Sequence, residues 1–118
     1  EQKLISDKYY SDAKSKGYLK KGYSLNKIRY NLIKKGIDER YIKASISKIK
    51  ENETDPDFFS AIKLCKRRRI GPNREESNRV LFYKKDISIL ARSGFNFDTS
   101  KRVMSLEKNE YLKIINLL

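Results

Sequence analysis

Apolar residues recur along most of the chain at intervals of three, four and seven positions, and strict alternation is rare. Such intervals place side chains on one face of an α-helix, whereas a half-buried strand needs alternation. Two prolines and five glycines leave little material for long loops. The pattern therefore predicts an all-α fold.

In the first half of the chain the pattern predicts three helices. The first covers Ser6–Lys16, and Gly17 and Gly22 bracket the turn that follows it. The third begins after Asp38, a suitable N-cap, and ends near Lys50. Its apolar stripe consists of Ile42, Ile46 and Ile49.

The second helix, between these two, has well-specified ends. Ser24 is a suitable N-cap because its hydroxyl can accept a hydrogen bond from a backbone N–H of the first turn. Gly36 is expected in the left-handed conformation just beyond the last turn. Ile37 would then contact Leu32, as the Schellman arrangement of a helix end requires.

The second half of the chain is predicted to form three more helices and an apolar tail. The acidic segment Glu51–Asp57, which contains Pro56, indicates a short linker or the first turn of the next helix. A fourth helix is expected over Pro56–Arg69, because Gly71–Pro72 cannot continue it. A fifth helix should run to Arg92, and Asn96 is a suitable cap for the sixth.

A short segment occurs twice. Leu32–Asp38 (LIKKGID) overlays Leu90–Asn96 (LARSGFN) with a shift of 58 residues, and both copies predict the same helix stop and restart. We therefore predict two tandem three-helix repeats, residues 1–52 and 53–118, in an elongated array.

The charge of the chain is strongly positive. It carries 28 Lys and Arg against 15 Asp and Glu, a net charge of +13, which favours a polyanion or an acidic protein as partner. Residues 1–50 hold 14 basic and 5 acidic side chains, so the field is concentrated there. The candidate contacts in this half are Lys20, Lys21, Arg29, Lys34 and Lys35. A solvated lysine face explains them equally well.

Three consecutive arginines, Arg67, Arg68 and Arg69, are a sharper signal. The planar guanidinium fork suits phosphate or carboxylate, and consecutive helical residues point about 100° apart, so not all three can serve the helix end. At least one should face outward. With Arg74 beyond the turn they are expected to form a compact binding cluster.

The eight tyrosines raise the question of base stacking, because aromatic and basic residues together can hold single-stranded bases. Tyr9, Tyr10, Tyr30 and Tyr41 lie at or beside predicted core positions. We therefore interpret them as core residues with hydroxyls at the surface.

The residues that most catalytic and metal sites need are missing. There is no histidine, no glycine-rich phosphate loop and no carboxylate pair in apolar surroundings, so we expect neither an enzyme nor a bound metal or cofactor. The single cysteine, Cys65, excludes a disulfide within the chain and is expected to be a buried, inert thiol.

No apolar run approaches the ~18 residues of a membrane span, and the first residues do not resemble a signal peptide. A cytoplasmic protein without membrane contact is expected. Self-repulsion of so basic a chain favours a monomer.

Several segments resemble RecX proteins, the bacterial regulators of the RecA recombinase. Lys66–Arg74 (KRRRIGPNR) and Lys84–Met104 resemble the C-terminal RecX repeat. Asp7–Ser11 and Ile28–Ile37 are similar to elements of the middle repeat. The resemblance covers nearly the whole chain, and the RRRIGP variant is similar to the alphaproteobacterial branch. The family's first repeat has no counterpart, Ser100 stands at a usually apolar position, and the tail 109–118 matches nothing in the family.

The resemblance implies a curved array of three-helix repeats that lies in the groove of the RecA–DNA filament. It also implies inhibition of recombinase, ATPase and coprotease activities, and some direct binding of single- and double-stranded DNA. An alternative is a stand-alone basic helical DNA-binding protein or transcription regulator. The helix Leu25–Lys35 offers Asn26, Arg29 and Asn31 as base-reading side chains for this alternative. A ribosome-associated factor is supported by charge alone.

Overall fold

The computed structural model describes residues 2–118, with side chains from residue 7 onward. Within this range the chain is all-α, as predicted, and no strand occurs. The helices are α1 (Gln2–Lys20), α2 (Leu25–Lys34), α3 (Glu39–Asn52), α4 (Pro56–Arg68), α5 (Glu76–Leu81), α6 (Tyr83–Arg92), α7 (Phe97–Met104) and α8 (Lys108–Leu117), with a 3₁₀ turn at Gly71–Asn73.

Helices α1, α2 and α3 enclose a core of their own. Its buried residues include the three isoleucines of the predicted α3 stripe, and they are Ile28, Leu32, Ile42, Ile46 and Ile49. Helix α1 is longer than predicted: it continues through Gly17 to Lys20. The prediction of a turn at Gly17 is therefore wrong, because one glycine costs a helix only about 1 kcal/mol and good helix formers surround it.

The predicted helix ends of α2 and α6 are confirmed. Gly36 and Gly94 have φ of 78° and 95°. The N–H of Ile37 donates to the Leu32 carbonyl at 3.2 Å, and Phe95 makes the equivalent bond, also at 3.2 Å. The side chains of the three predicted caps, Ser24, Asp38 and Asn96, each accept a backbone hydrogen bond from the first turn of their helix. These ends follow from local chemistry alone.

The second half has a separate core, formed by α4, α6, α7 and α8. The predicted fifth helix is divided at Phe82 into α5 and α6, and the apolar tail forms α8, whose Tyr111 is fully buried. Ser100, polar where the family is usually apolar, is buried and donates to the Asn96 carbonyl at 2.9 Å. Each half thus has its own core, while the superposition of two repeats stays a prediction.

The two halves meet where the N-terminus of α2 contacts the second half. Ser24 donates to the Ser93 carbonyl at 2.8 Å, and the backbone N–H of Leu25 donates to Asp57 at 2.9 Å. Burial of Asp57 in this contact raises its pKa. The molecule measures 57 × 25 × 20 Å, and its radius of gyration of 15.8 Å exceeds the ~13.5 Å of a compact domain of this length.

None of the helices in the described part of the chain is both long and apolar enough to cross a membrane.

Candidate functional site

Basic residues from both halves share one surface where the halves meet. The Nη1 of Arg67 donates to the Lys21 carbonyl at 2.7 Å, which fixes the end of α4 beside the turn after α1. Gly22 lies in the same turn, and a β-carbon there would stand 2.9 Å from the Cβ of Lys63 on α4. We call the exposed cations at this contact the junction surface; they are Lys20, Lys21, Arg67, Arg68 and Arg69.

The three arginines of the junction surface have different roles. Arg67 is tied to the backbone of the first half. Arg68 and Arg69 are exposed, and the side chain of neither makes a hydrogen bond or an ion pair with any described group. This agrees with the expectation that at least one arginine faces outward.

Arg69 has an unusual backbone conformation. The prediction that it belongs to α4 is wrong, because α4 ends at Arg68 and Arg69 has a φ of 57°. Glycine occupies the corresponding left-handed position after three other helices, at Gly22, Gly36 and Gly94. The left-handed conformation costs a residue with a side chain about 1–2 kcal/mol. A non-glycine residue held at such a cost is a candidate functional residue.

Arg74 does not belong to this surface. Its guanidinium makes two bonds to Asp86, at 2.7 and 2.9 Å, and the same carboxylate accepts the backbone N–H of Gly71 at 2.8 Å. Asp86 is fully buried, and its hydrogen bonds raise the pKa of Arg74. The guanidinium of Arg74 is therefore occupied inside the second half, which does not favour Arg74 as a binding residue; its binding role stays an untested prediction.

Sequence reasoning overlooked Asp86. The signal was present, because Asp86 precedes the inward residues Ile89 and Leu90 by three and four positions and so falls on the buried face of the helix. A carboxylate on such a face needs a buried partner, and Arg74 is that partner.

The other cations of the first half lie apart from the junction surface. Lys34 and Lys35 are exposed at the far end of α2, about 15 Å along its axis. The ammonium of Lys34 lies 5.4 Å from the ring centre of Tyr30. Arg29 is half-buried and pairs with Glu39 on α3. The nine candidate residues therefore do not form one site.

The side chains needed for base reading by α2 are engaged within the chain. Asn26 donates to the Gly94 carbonyl at 3.2 Å, and Asn31 donates to the Lys27 carbonyl at 2.9 Å. Arg29 is in the ion pair just described. This arrangement does not favour the transcription-regulator alternative.

Two tyrosines, one on α1 and one on α2, are more exposed than predicted. Tyr9 is 76% and Tyr30 is 61% exposed, so the interpretation of these two as core residues is wrong. The inward face of α1 includes two buried serines, Ser11 and Ser15. Small side chains at these positions let α1 and α3 approach each other closely. Tyr18 and Leu19 of the same helix pack against the core of the first half.

Cys65 is buried, as predicted, and burial raises its pKa to about 12. Such a thiol carries almost no thiolate at neutral pH and is a poor nucleophile. Across residues 7–118, where side chains are described, no group of three or more metal-ligating side chains comes together.

Comparisons with known proteins identify relatives of one kind. No protein-family model matches the chain, and no solved structure matches it significantly. The chain is 27% identical over 114 residues to the "Regulatory protein RecX" of Clostridium perfringens strain SM101, an alignment covering 96% of this chain and 52% of the relative. The homologue from strain 13 has the same identity and coverage. The "Regulatory protein RecX" of Clostridioides difficile strain 630 is 32% identical over 88 residues, which is 73% of this chain and 39% of the relative.

These relatives are clostridial and give no support to an alphaproteobacterial origin. The chain spans about half the length of the relatives from Clostridium perfringens. The relatives carry the same name, and two of the alignments cover nearly all of the present chain. The chain belongs to the RecX family.

Proposed function

We propose that this chain regulates RecA: it binds the RecA–DNA filament and lowers its recombinase, ATPase and coprotease activities, with some direct binding of single- and double-stranded DNA. The observation that carries the proposal is the junction surface. Arg68 and Arg69 project from it without partners among the described residues, and Arg69 keeps a backbone conformation that glycine would adopt at lower cost.

The chemistry of the junction surface fits such a filament. Arginine forks bind phosphate and carboxylate with paired hydrogen bonds, and a filament of protein on DNA offers both groups. A body 57 Å long and 20–25 Å thick is long enough to follow an extended polymer. Binding of this kind needs neither a cofactor nor a catalytic group.

The cellular setting follows from the proposed partner. The filament forms on chromosomal DNA, so we propose that the chain acts in the cytoplasm, as a monomer and without catalysis. Its net charge of +13 supports a monomer, because two such chains repel each other.

The test is co-sedimentation with RecA on single-stranded DNA plus ATP, with the rate of ATP hydrolysis as readout. We expect the variant Arg68→Ala/Arg69→Gly to weaken inhibition at least tenfold, about 1.4 kcal/mol. Its stability should be unchanged or higher by up to about 1 kcal/mol, because glycine relieves the left-handed residue. Arg67 is left in place, since its removal would disturb the contact between the halves.

The matched control is Lys101→Ala/Lys113→Ala, which removes the same charge from exposed positions on α7 and α8. Equal loss of inhibition in both variants would show that only net charge matters and would reject the junction surface. Equal affinity of the unmodified chain for RecA-coated and naked strands would reject the filament as partner and favour the stand-alone DNA-binding alternative.

A further inference from the structure

An open groove of about 430 Å³ runs along the outer side of α1. It is a feature separate from the arginines of the junction surface, although Lys21 belongs to both. We call it the α1 groove; the residues that matter in its lining are Tyr9, Tyr10, Lys14, Gly17, Tyr18 and Lys21.

Gly17 has no structural reason to be glycine. It lies inside α1, its φ is not positive, and a β-carbon there would meet no heavy atom within 4 Å. Alanine at such a position would favour the helix by roughly 0.5–1 kcal/mol. Because Gly17 has no side chain, the α1 groove is deeper at this position, and another molecule can approach the helix backbone there.

Three tyrosine rings line the α1 groove, and one of them is held in place by stacking on a neighbouring ring. Tyr9 is 76% exposed. Tyr18 is stacked on Tyr23, with 5.0 Å between ring centres and 6° between ring planes, and the ammonium of Lys27 lies 4.1 Å from the centre of the Tyr23 ring. Flat rings of this kind are suited to stacking with planar groups of a ligand.

The charges at the α1 groove select an anion. Lys14 and Lys21 line it, and no carboxylate is among the described residues of its lining. The ammonium of Lys14 lies 5.7 Å from the ring centre of Tyr10, so cation and ring are presented side by side. A ligand that carries planar groups and negative charges at regular intervals can contact both the rings and the lysines. A nucleic-acid strand has this chemistry.

We propose that the α1 groove binds single-stranded nucleic acid. Bases stack on Tyr9 and Tyr10, and the sugar–phosphate backbone crosses the helix at Gly17 with its phosphates toward Lys14 and Lys21. Single strands are bound in preference to duplex, because duplex bases are stacked on one another and cannot offer their faces to tyrosine. This proposal assigns a site to the direct DNA binding of the proposed function, and it rests on that part of the proposed function alone.

The test is fluorescence anisotropy with a labelled oligothymidylate and with a duplex of the same length. Tyr9→Ala/Tyr10→Ala should weaken single-strand binding at least tenfold, because each stacked base loses its platform. Tyr9→Phe/Tyr10→Phe should bind like the unmodified chain, since phenylalanine keeps the ring. The matched control is Tyr30→Ala, another exposed tyrosine with a lysine over its ring but outside the groove.

A second variant separates binding from stability. Gly17→Leu should keep or raise the melting temperature, because leucine is a good helix former and the position is open, while its side chain fills the groove and lowers single-strand affinity several-fold. Unchanged affinity in this variant and in Tyr9→Ala/Tyr10→Ala would overturn the proposal. Equal loss in Tyr30→Ala, or equal loss for duplex, would overturn it as well.

Failure of the α1-groove proposal can be told apart from failure of the proposed function. Filament inhibition is measured with RecA and is expected to depend on Arg68 and Arg69, whereas the α1 groove is tested on naked strands. Loss of oligothymidylate binding in the tyrosine variant with filament co-sedimentation retained would support both. Retained oligothymidylate binding in the tyrosine variant, together with lost inhibition in the arginine variant, would leave the filament proposal standing and reject the α1 groove.

Discussion

Asp86 holds the segment after α4 in place by binding two groups at once. Its carboxylate accepts two hydrogen bonds from Arg74 and one from the backbone of Gly71, although the side chain has no exposed area. The centre of the Phe82 ring lies 4.3 Å from the Cζ atom of Arg74, so the ring covers one side of the Arg74–Asp86 ion pair. A buried carboxylate is tolerable only with such complete pairing, so this residue is structural.

Replacing Asp86 with Ala should lower the free energy of unfolding by about 3 kcal/mol or more, because Arg74 and the Gly71 N–H lose their partner in a low-dielectric site. Glu76→Ala is the control, since Glu76 pairs with Arg79 but is 77% exposed and should cost less than about 0.5 kcal/mol. Urea unfolding followed by circular dichroism measures both. A loss below about 1 kcal/mol for Asp86→Ala would show that water satisfies the site.

At the scale of elements, α1 and α3 are joined by polar side chains. Ser11 and Ser45 share a hydrogen bond of 2.8 Å, and Ser45 donates to Asp12 at 2.7 Å. Lys48 adds an ion pair to Asp12 at 3.3 Å. The hydrogen bond from Ser45, assisted by Lys48, lowers the pKa of Asp12. The packing of α1 therefore includes an ionised carboxylate in addition to the apolar contacts of Tyr18 and Leu19 with the core.

This network predicts a pH dependence of stability. Because the folded pKa of Asp12 lies below that of an unfolded aspartate, about 3.9, its contribution is full above that pH and is lost as the pH falls through the folded value. The difference in unfolding free energy between the unmodified chain and Asp12→Asn should therefore shrink on acidification below about pH 4. Parallel urea titrations measure it. A difference that stays constant across this range would contradict the role of the charge.

Among these elements, the helix ends could be predicted from the sequence, whereas the inward face of α1 could not. The ends of α2 and α6 were predictable because Ser24, Gly36 and Gly94 act through backbone groups a few residues away. The inward face of α1 was not, because it contains Ser11, whose hydroxyl bonds to Ser45 on α3, 34 positions along the chain. Apolar periodicity carries no information about a polar contact between two helices, and it predicted that Tyr9 lies in the core.

The candidate site shows the same division between local and distant causes. An outward arginine in Arg67–Arg69 was predictable from helix geometry. The contact of Arg67 with Lys21 and the engagement of Arg74 by Asp86 were not, because both depend on how segments pack. The left-handed Arg69 also escapes local rules, which favour glycine there.

At the scale of the whole molecule, one helix start serves both halves. Ser24 caps α2 by accepting the N–H of Lys27 at 3.0 Å, and it donates to the Ser93 carbonyl at the end of α6. Its side chain is fully buried. The partial positive charge of a helix N-terminus here faces carbonyls at a helix C-terminus, which is a favourable arrangement of the two dipoles. The elongated shape therefore rests on a small, hydrogen-bonded contact.

Gly36 and Gly94, which end α2 and α6, should consequently differ in how they tolerate a side chain. A β-carbon at Gly36 meets nothing within 4 Å, so Gly36→Ala should cost only the backbone term, about 1 kcal/mol. At Gly94 the same β-carbon would collide with the Ser24 hydroxyl and approach Asn26 to 3.4 Å. Gly94→Ala should therefore cost at least twice as much in unfolding free energy, because it also disturbs the contact between the halves. Urea unfolding measures this difference, and small-angle X-ray scattering should show a larger radius of gyration for Gly94→Ala alone. Equal costs and unchanged scattering would mean that the halves are held together by other contacts, such as the bond from Arg67 to Lys21.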